Sequence, residues 1–528
     1  MDQKFYVFWA LGFSISFVSG CSTLPHREFV SPTYTTQINT SETYLAKIFN
    51  PLEQKNPNKT GYHILFDPTS ALTSRLQLIE RAEKTLDLQY YIWDNDKVGA
   101  LALAGLLKAA DRGVQVRLLL DDNNTKALEA AYYALDQHPN IQIRLFNPHK
   151  FRRLRALDFI FDFNRMTRRM HNKTFIADHK VALIGGRNMS NQYYNFGESY
   201  QFSDMDVILV GQSVNDINDS FDEYWNHEYA YPVDQLSAYK AKKLSYESVR
   251  QQLEDHWYLS NLEDYLNILT SSISFDQWFN DDLSLEWVDA KIVKDSAEKI
   301  REHADKEQHL AFQMKNLLGQ PTQQVDLVSA YFVPQKENTQ LISQLAEQGV
   351  KVRVLTNSYK ANDVPIVHAF YSKYREDLLK TGVELYEFLP ALPASLMQSN
   401  QQLVESKQNK QKNKKVGSSN SSLHAKFMAL DHHQVFIGSF NFDPRSVYLN
   451  TEIGVILQSP QLATTIHNSM DEKLMQFSYR VSLDEHGKMI WTKKEGDKYV
   501  IYRQEPMMRW WHKLGLKLAS WLPIEKQM

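Results

Sequence analysis

The chain has 528 residues, 43% hydrophobic and 23% charged, with 59 Lys and Arg against 62 Asp and Glu. That length exceeds one ordinary core and suits two large globular domains. The formal net charge of −3 excludes a global positive field toward nucleic acid or anionic lipid, so any such attraction must be local.

At the N-terminus, Lys4 precedes a short apolar run, Phe5 to Val18, followed by Ser19-Gly20-Cys21. The run is too short to span a bilayer. A basic start, a short apolar core and small residues describe a secretory signal over residues 1–20. Small residues directly before Cys21 resemble a bacterial lipobox, whose cysteine is lipidated and becomes the mature N-terminus. An ordinary signal peptide or an uncleaved anchor would leave a similar run. Cys21 is the sole cysteine, which excludes an intramolecular disulfide and a four-cysteine metal site.

Within residues 21–231 the patterning predicts a helix over 73–84, a strand over 86–92, a second helix over 100–111 and a strand over 112–120. Residues 232–324 are polar and read as a mostly helical connecting segment. Residues 325–480 then repeat the first order: a strand over 325–333, a helix over 338–348 and a strand over 349–355. Gly113 and Gly349 stand where a helix C-cap glycine belongs. This alternation predicts an α/β fold of two domains, each a mixed, largely parallel sheet flanked by helices. Residues 405–421, rich in Lys, Gln, Asn and Ser, read as a mobile loop. Residues 481–528 form a tail ending in Arg509-Trp510-Trp511-His512-Lys513, amphipathic enough for a bilayer interface or for packing on the body. The stretch 151–169 mixes arginines with Phe159, Phe161 and Phe163. It reads equally as a phosphate-steering membrane rim or as a solvated helix pair.

Two motifs carry the chemistry. His171-Asn172-Lys173, Asp178 and Gly185-Gly186-Arg187-Asn188 are answered by His424-Ala425-Lys426, Asp431 and Gly438-Ser439-Phe440-Asn441, each matched pair 253 residues apart. At average residue usage, His-x-Lys-x4-Asp arises by chance at about one start in ten thousand, so a doubled copy in register is not an accident. On a strand, His171 and Lys173 share a face, as do His424 and Lys426. A histidine beside an ammonium makes an anion site, to which Asn188 and Asn441 can add donors from the next strand. Two such sets around one phosphate suit phosphoryl transfer. Asp178 and Asp431 read as structural, binding nearby backbone or basic groups. His432 and His433 read as a solvated turn, with no third ligand at metal spacing.

These motifs resemble the HKD motifs of the phospholipase D superfamily. Residues 86–93, Asp162 to Lys173, Gly438 to Ser446 and Leu449 to Glu452 resemble its cardiolipin synthase C-type branch. The resemblance implies a pseudo-twofold pair of domains with one active site between them, and no metal or other cofactor. It also implies a carboxylate behind each histidine: Asp204, with Asp206 as its competitor, and Glu452. The superfamily often has a small hydroxyl residue after the motif glycine. Ser439 fits and Gly186 does not, which marks the branch.

The expected function is phosphatidyl transfer through a phosphohistidine on His171, with His424 as acid and base and phosphatidylglycerol as acceptor. Imidazoles titrating near ~6.5 would make opposite protonation states accessible. Rival readings are a hydrolytic phospholipase D, an envelope nuclease and a non-catalytic lipid-binding lipoprotein. The expected partners are phospholipid and membrane, with no nucleic acid and with room for an accessory protein. The expected location is the bacterial envelope, lipid-anchored and facing the periplasm on the outer or inner membrane.

Overall fold

The computed structural model describes residues 24–196, 200–236, 244–259, 285–390 and 420–527. The expected signal, Cys21 and most of the 405–421 loop lie outside the described residues.

Ten strands of the first half are β1 (Thr60–Leu65), β2 (Thr85–Tyr90), β3 (Gln115–Asp121), β4 (Ile141–Phe146), β5 (Thr174–Ala177), β6 (Val181–Gly185), β7 (Tyr200–Ser203), β8 (Asp206–Gly211), β9 (Ala230–Pro232) and β10 (Glu286–Val288). All but β7 form one sheet in the order β10-β1-β8-β6-β5-β2-β3-β4-β9. The second half supplies β11 (Ala290–Lys294), β12 (Gln324–Ser329), β13 (Lys351–Asn357), β14 (Glu384–Phe388), β15 (Asn420–Leu423), β16 (Lys426–Leu430), β17 (Gln434–Gly438), β18 (Ile453–Leu457), β19 (Ser478–Leu483), β20 (Met489–Glu495) and β21 (Lys498–Tyr502). All but β15 form a second sheet, β11-β18-β17-β16-β12-β13-β14-β19-β20-β21. The two orders correspond strand for strand from β8/β18 to β4/β14.

The predicted strand–helix–strand units are present. Helices Pro68–Arg81, Lys97–Asp111 and Gln335–Glu347 flank β2, β3, β12 and β13. Gly113 (φ 95°) and Gly349 (φ 92°) both take the left-handed conformation after their helices. Within the two large sheets, parallel pairing is confined to β2-β3-β4 and β12-β13-β14. The motif strands pair antiparallel, β5 with β6 and β16 with β17, because the turns 178–180 and 431–433 are too short for a parallel crossover.

Two segments differ from the expected boundaries. The connecting stretch is not only helical: β10 closes the edge of the first sheet on β1, and β11 closes the second on β18. These runs of three and five residues are too short for periodicity to reveal inside a polar stretch. The C-terminal tail is not only amphipathic helix either. β20 and β21 extend the second sheet beyond β19, into which the boundary at 480 falls.

A single apolar core joins the halves. Leu119, Ile176, Val207 and Leu209 of the first sheet meet Ala429, Val435, Ile437 and Val455 of the second, together with Phe221 and Ile466 from helices Gln212–Asn226 and Pro460–Phe477. β7 and β15 pair in parallel across the halves. Among the described residues, no helix is long and apolar enough to cross a membrane.

Candidate active site

Both motif histidines stand just before their strands, in extended chain held by the opposite half. His171 N–H donates to Thr451 O at 2.9 Å, and His424 N–H to Ser203 O at 2.8 Å. The same-side geometry expected of a strand survives there. Lys173 Nζ donates to His171 O at 2.7 Å, and Lys426 Nζ to His424 O.

The carboxylates cross over. His171 Nδ1 lies 2.8 Å from Glu452 Oε2, and His424 Nδ1 lies 2.6 Å from Asp204 Oδ2. A ring nitrogen beside a carboxylate is the protonated one, so Nε2 of each imidazole is the atom left for a substrate. Lys426 Nζ also sits 2.9 Å from His424 Nδ1. We assign the Nδ1 proton to Asp204, because an ammonium and a carboxylate cannot both be satisfied by one ring nitrogen. Asp206, the competing candidate, lies elsewhere: it is buried against Arg75 at 2.8 Å and Arg187 at 3.3 Å.

Glu452 is fixed on three sides. Ser439 Oγ donates to it at 2.5 Å and Ser446 Oγ at 2.9 Å, while its own N–H donates to Asp295 at 2.9 Å. In the first motif Gly186 replaces that serine for a steric reason. A Cβ there would lie 2.1 Å from Asp204 Oδ1, so the Asp204 carboxylate occupies the space a side chain would need.

Aromatic rings flank each imidazole edge-on. Tyr91 stands 5.0 Å from His171 and Tyr193 stands 5.0 Å from His424, with the Tyr193 hydroxyl 3.5 Å from His424 Nε2. No motif marked these tyrosines; Tyr91 lay unassigned within the family-like stretch 86–93. The asparagines differ from one another. Asn188 donates from Nδ2 to Tyr193 OH at 2.9 Å and accepts from Ile92 N at 3.1 Å. Asn441 Oδ1 is buried without a hydrogen-bond partner among the described residues.

Asp178 and Asp431 lie at turns outside the histidine cluster. Asp178 accepts from the backbone N–H groups of Glu83, Lys84 and Thr85 at 2.8–3.3 Å. Asp431 accepts from those of Thr322, Gln323 and Gln324 at 2.6–2.9 Å. Both have positive φ, 48° and 49°. Each therefore pins its motif hairpin to the strand before it.

The electrostatics depart from unperturbed imidazoles. Burial, partly offset by Glu452, lowers His171 to about 4. Burial and then Lys426 and Lys173 hold His424 well below its ordinary value. Burial also lowers Lys173, to about 7, and lowers Lys426. Burial alone would raise Glu452, but His171, Lys173 and Ser439 outweigh it and hold it below the usual carboxylate range. These shifts favour the neutral form of both imidazoles, with the charges of Lys173 and Lys426 set against those of Glu452 and Asp204. Among the described residues, no cluster of His, Cys, Asp and Glu suits a metal ion.

A family model described as "Cardiolipin synthase, PLD-like domain" matches residues 76–225 and 314–474. The chain is 38% identical over 482 residues to cardiolipin synthase C of Escherichia coli (strain K12), covering 91% of this chain and 99% of that one. It is 22% identical over 419 residues to a cardiolipin synthase of Oceanobacillus iheyensis, covering 78% of this chain and 68% of that one. In fold it is similar to the crystal structure of phosphatidylserine synthase from Haemophilus influenzae Rd KW20. That likeness has a TM-score of 0.53 at 15% identity and covers 82% of this chain and 92% of that one.

Proposed function

The chain belongs to the cardiolipin synthase family of phospholipase D-like enzymes, and from that membership we propose that it moves a phosphatidyl group through a phosphohistidine to phosphatidylglycerol, making cardiolipin. The observation that carries this reading is the crossed pair of carboxylate–histidine contacts, His171 with Glu452 and His424 with Asp204. It leaves both Nε2 atoms turned away from the carboxylates, in a site that also holds the buried Lys173 and Lys426.

Neutral His171 is the nucleophile. Its Nε2 attacks the phosphorus of the donor lipid, and the bond from phosphorus to the headgroup alcohol oxygen breaks. His424 gives its Nε2 proton to that oxygen. Its proton affinity, lowered by burial and by Lys426 and Lys173, rises beside the bound phosphodiester anion. In the second step the acceptor hydroxyl gives its proton to His424, and its oxygen attacks phosphorus. The phosphorus–nitrogen bond then breaks. Lys173, Lys426, Asn441 and Asn188 hold the non-bridging oxygens. Asn188 exchanges its bond to Tyr193 for one to phosphate. Asp178, Asp431 and Ser439 are supports.

Cys21 after the apolar run 5–18 supports a lipid-anchored body in the bacterial envelope, facing the periplasm from the inner or outer membrane.

Purified protein incubated with phosphatidylglycerol, its products read by lipid mass spectrometry, tests the reaction. Cardiolipin is expected, and it should persist after exhaustive EDTA treatment. Phosphatidic acid alone would make the chain a hydrolase. Quenched reactions of His424→Ala should trap lipid phosphorus on His171, and those of His171→Ala should not; the reverse result would exchange the two roles.

A further inference from the structure

The arginines of residues 151–169 mostly face inward. Arg152 and Arg155 both pair with Asp122 and Glu129. Arg165 holds Asp162 and Asn147, and Arg169 holds Asp121. This tethering turns out the opposite side of the hairpin formed by residues 151–163 and the short helices Ala156–Phe161 and Phe163–Met166. Phe151, Leu154, Phe159, Ile160, Phe161 and Phe163 are all exposed, Ile160 at 71% and Phe161 at 68%.

A second apolar surface comes from the tail. The helix Trp510–Ala519 has no buried residue. Its Leu516 and Ala519 are half-buried and Ser520 beyond it is buried, and His512 meets the ring of Tyr359 at 5.9 Å. Trp510, Leu514, Leu518 and Trp521 lie on the other side, Trp510 73% and Trp521 70% exposed. Arg509, Lys513 and Lys517 alternate with them, and no acid occurs from Pro506 to Pro523.

One residue beside the second motif ties together the segments that bear these two surfaces. Arg445 lies in the first turn of the helix Pro444–Tyr448, which follows Asn441. It donates to Thr167 O at 2.7 Å, at the base of the hairpin, and to Gln527 O at 3.0 Å, at the end of the tail. Arg168 reaches Tyr448 O at 3.2 Å, and Tyr448 is itself exposed.

We propose that the 151–163 hairpin and the 510–522 helix form one docking face that seats the mouth of the active site on an anionic phospholipid surface. The proposal rests on the reading of the chain as a phospholipid enzyme. The committed occupant is a bilayer because the tail combines outward tryptophans, cations and no acids, which complements anionic headgroups. Tryptophan and lysine settle at the headgroup level, while Ile160 and Phe161 reach the acyl boundary. Lipid then meets the pocket headgroup first, without leaving the membrane.

The test uses the full chain with environment-sensitive fluorophores on Ile160→Cys, on Trp521→Cys and, as a control, on His486→Cys. Unsubstituted protein labelled in parallel corrects for Cys21. With brominated phosphatidylglycerol vesicles, the labels at 160 and 521 should be quenched and that at 486 should not. Equal quenching at all three, or none while the protein sediments with vesicles, overturns the face. Shifts that need no lipid and grow with protein concentration would make it a protein interface, which also overturns it. In parallel, Ile160→Ser/Phe161→Ser and Trp510→Ser/Trp521→Ser should lose about tenfold or more activity on vesicles, yet keep activity on monomeric short-chain phosphatidylglycerol. Equal loss on both substrates assigns these residues to the site itself and overturns the proposal. If unsubstituted protein turns over neither substrate, the proposed reaction fails while the quenching still judges the face.

Discussion

His171 and Glu452 stand 281 residues apart in the chain and 2.8 Å apart in space. Neither half of the molecule therefore owns a complete catalytic pair. Glu452→Gln should keep the ring in place but lose the charge that fixes the Nδ1 proton. A fall in kcat of about 10²-fold or more is expected with little change in KM, by analogy with other carboxylate-oriented histidines. Asp204→Asn should do the same through His424. Steady-state kinetics on both variants checks this, and a change confined to KM would count against the orienting role.

Gly186 makes a steric prediction. Gly186→Ser puts a Cβ where Asp204 Oδ1 now lies, 2.1 Å away, so the carboxylate must leave His424. Activity should fall at least about tenfold, and the melting temperature should drop by a few degrees. Ser439→Gly removes only one of the donors to Glu452 and should cost a few-fold. Measured side by side, the order of severity should be Gly186→Ser above Ser439→Gly.

The pH dependence of stability follows from the buried cations. His171 titrates at about 4 when folded and near ~6.5 when unfolded. On acidification the unfolded chain takes its proton first, so the stability present above ~6.5 is lost as pH falls toward 4. Lys173, lowered to about 7 by burial, makes stability rise with pH between about 7 and ~10.4. Melting curves across this range should show both slopes. His171→Asn should flatten the acid limb and Lys173→Met the alkaline one. Inorganic phosphate should raise the melting temperature of the unsubstituted protein and have little effect on Lys173→Met/Lys426→Met.

Membrane attachment through Cys21 is testable apart from catalysis. Mass measurement of the mature N-terminus should find a lipidated cysteine at position 21, and Cys21→Ser should weaken the membrane fractionation of the chain. An unmodified N-terminus, or unchanged fractionation, leaves an uncleaved apolar anchor as the better account.

What the sequence revealed was local. His-x-Lys-x4-Asp and the following Gly and Asn fall within eighteen residues of each histidine, so their spacing reports the strand–turn–strand hairpin that carries them. The crossing of Glu452 to His171 was not legible, because a carboxylate's partner in the opposite half is set by domain packing. Tyr91 and Tyr193 escaped for the same reason: an aromatic beside a strand usually means core. The arginines of 151–169 read equally as a phosphate-steering rim or a solvated helix pair, and neither reading included their pairing with Asp122 and Glu129, more than twenty residues upstream. β10 and β11 were hidden by brevity.

Asp289 is the lone residue between β10 and β11, which edge the two different sheets. A link of one residue provides no hinge. Swinging the halves apart like jaws would strip β10 from β1 or β11 from β18 and break the backbone pairing of β7 with β15. The gap between the two imidazoles is therefore a fixed dimension of the molecule. Among the described residues, selection between donor and acceptor lipids then acts at the pocket's walls and not through the two halves closing on the substrate.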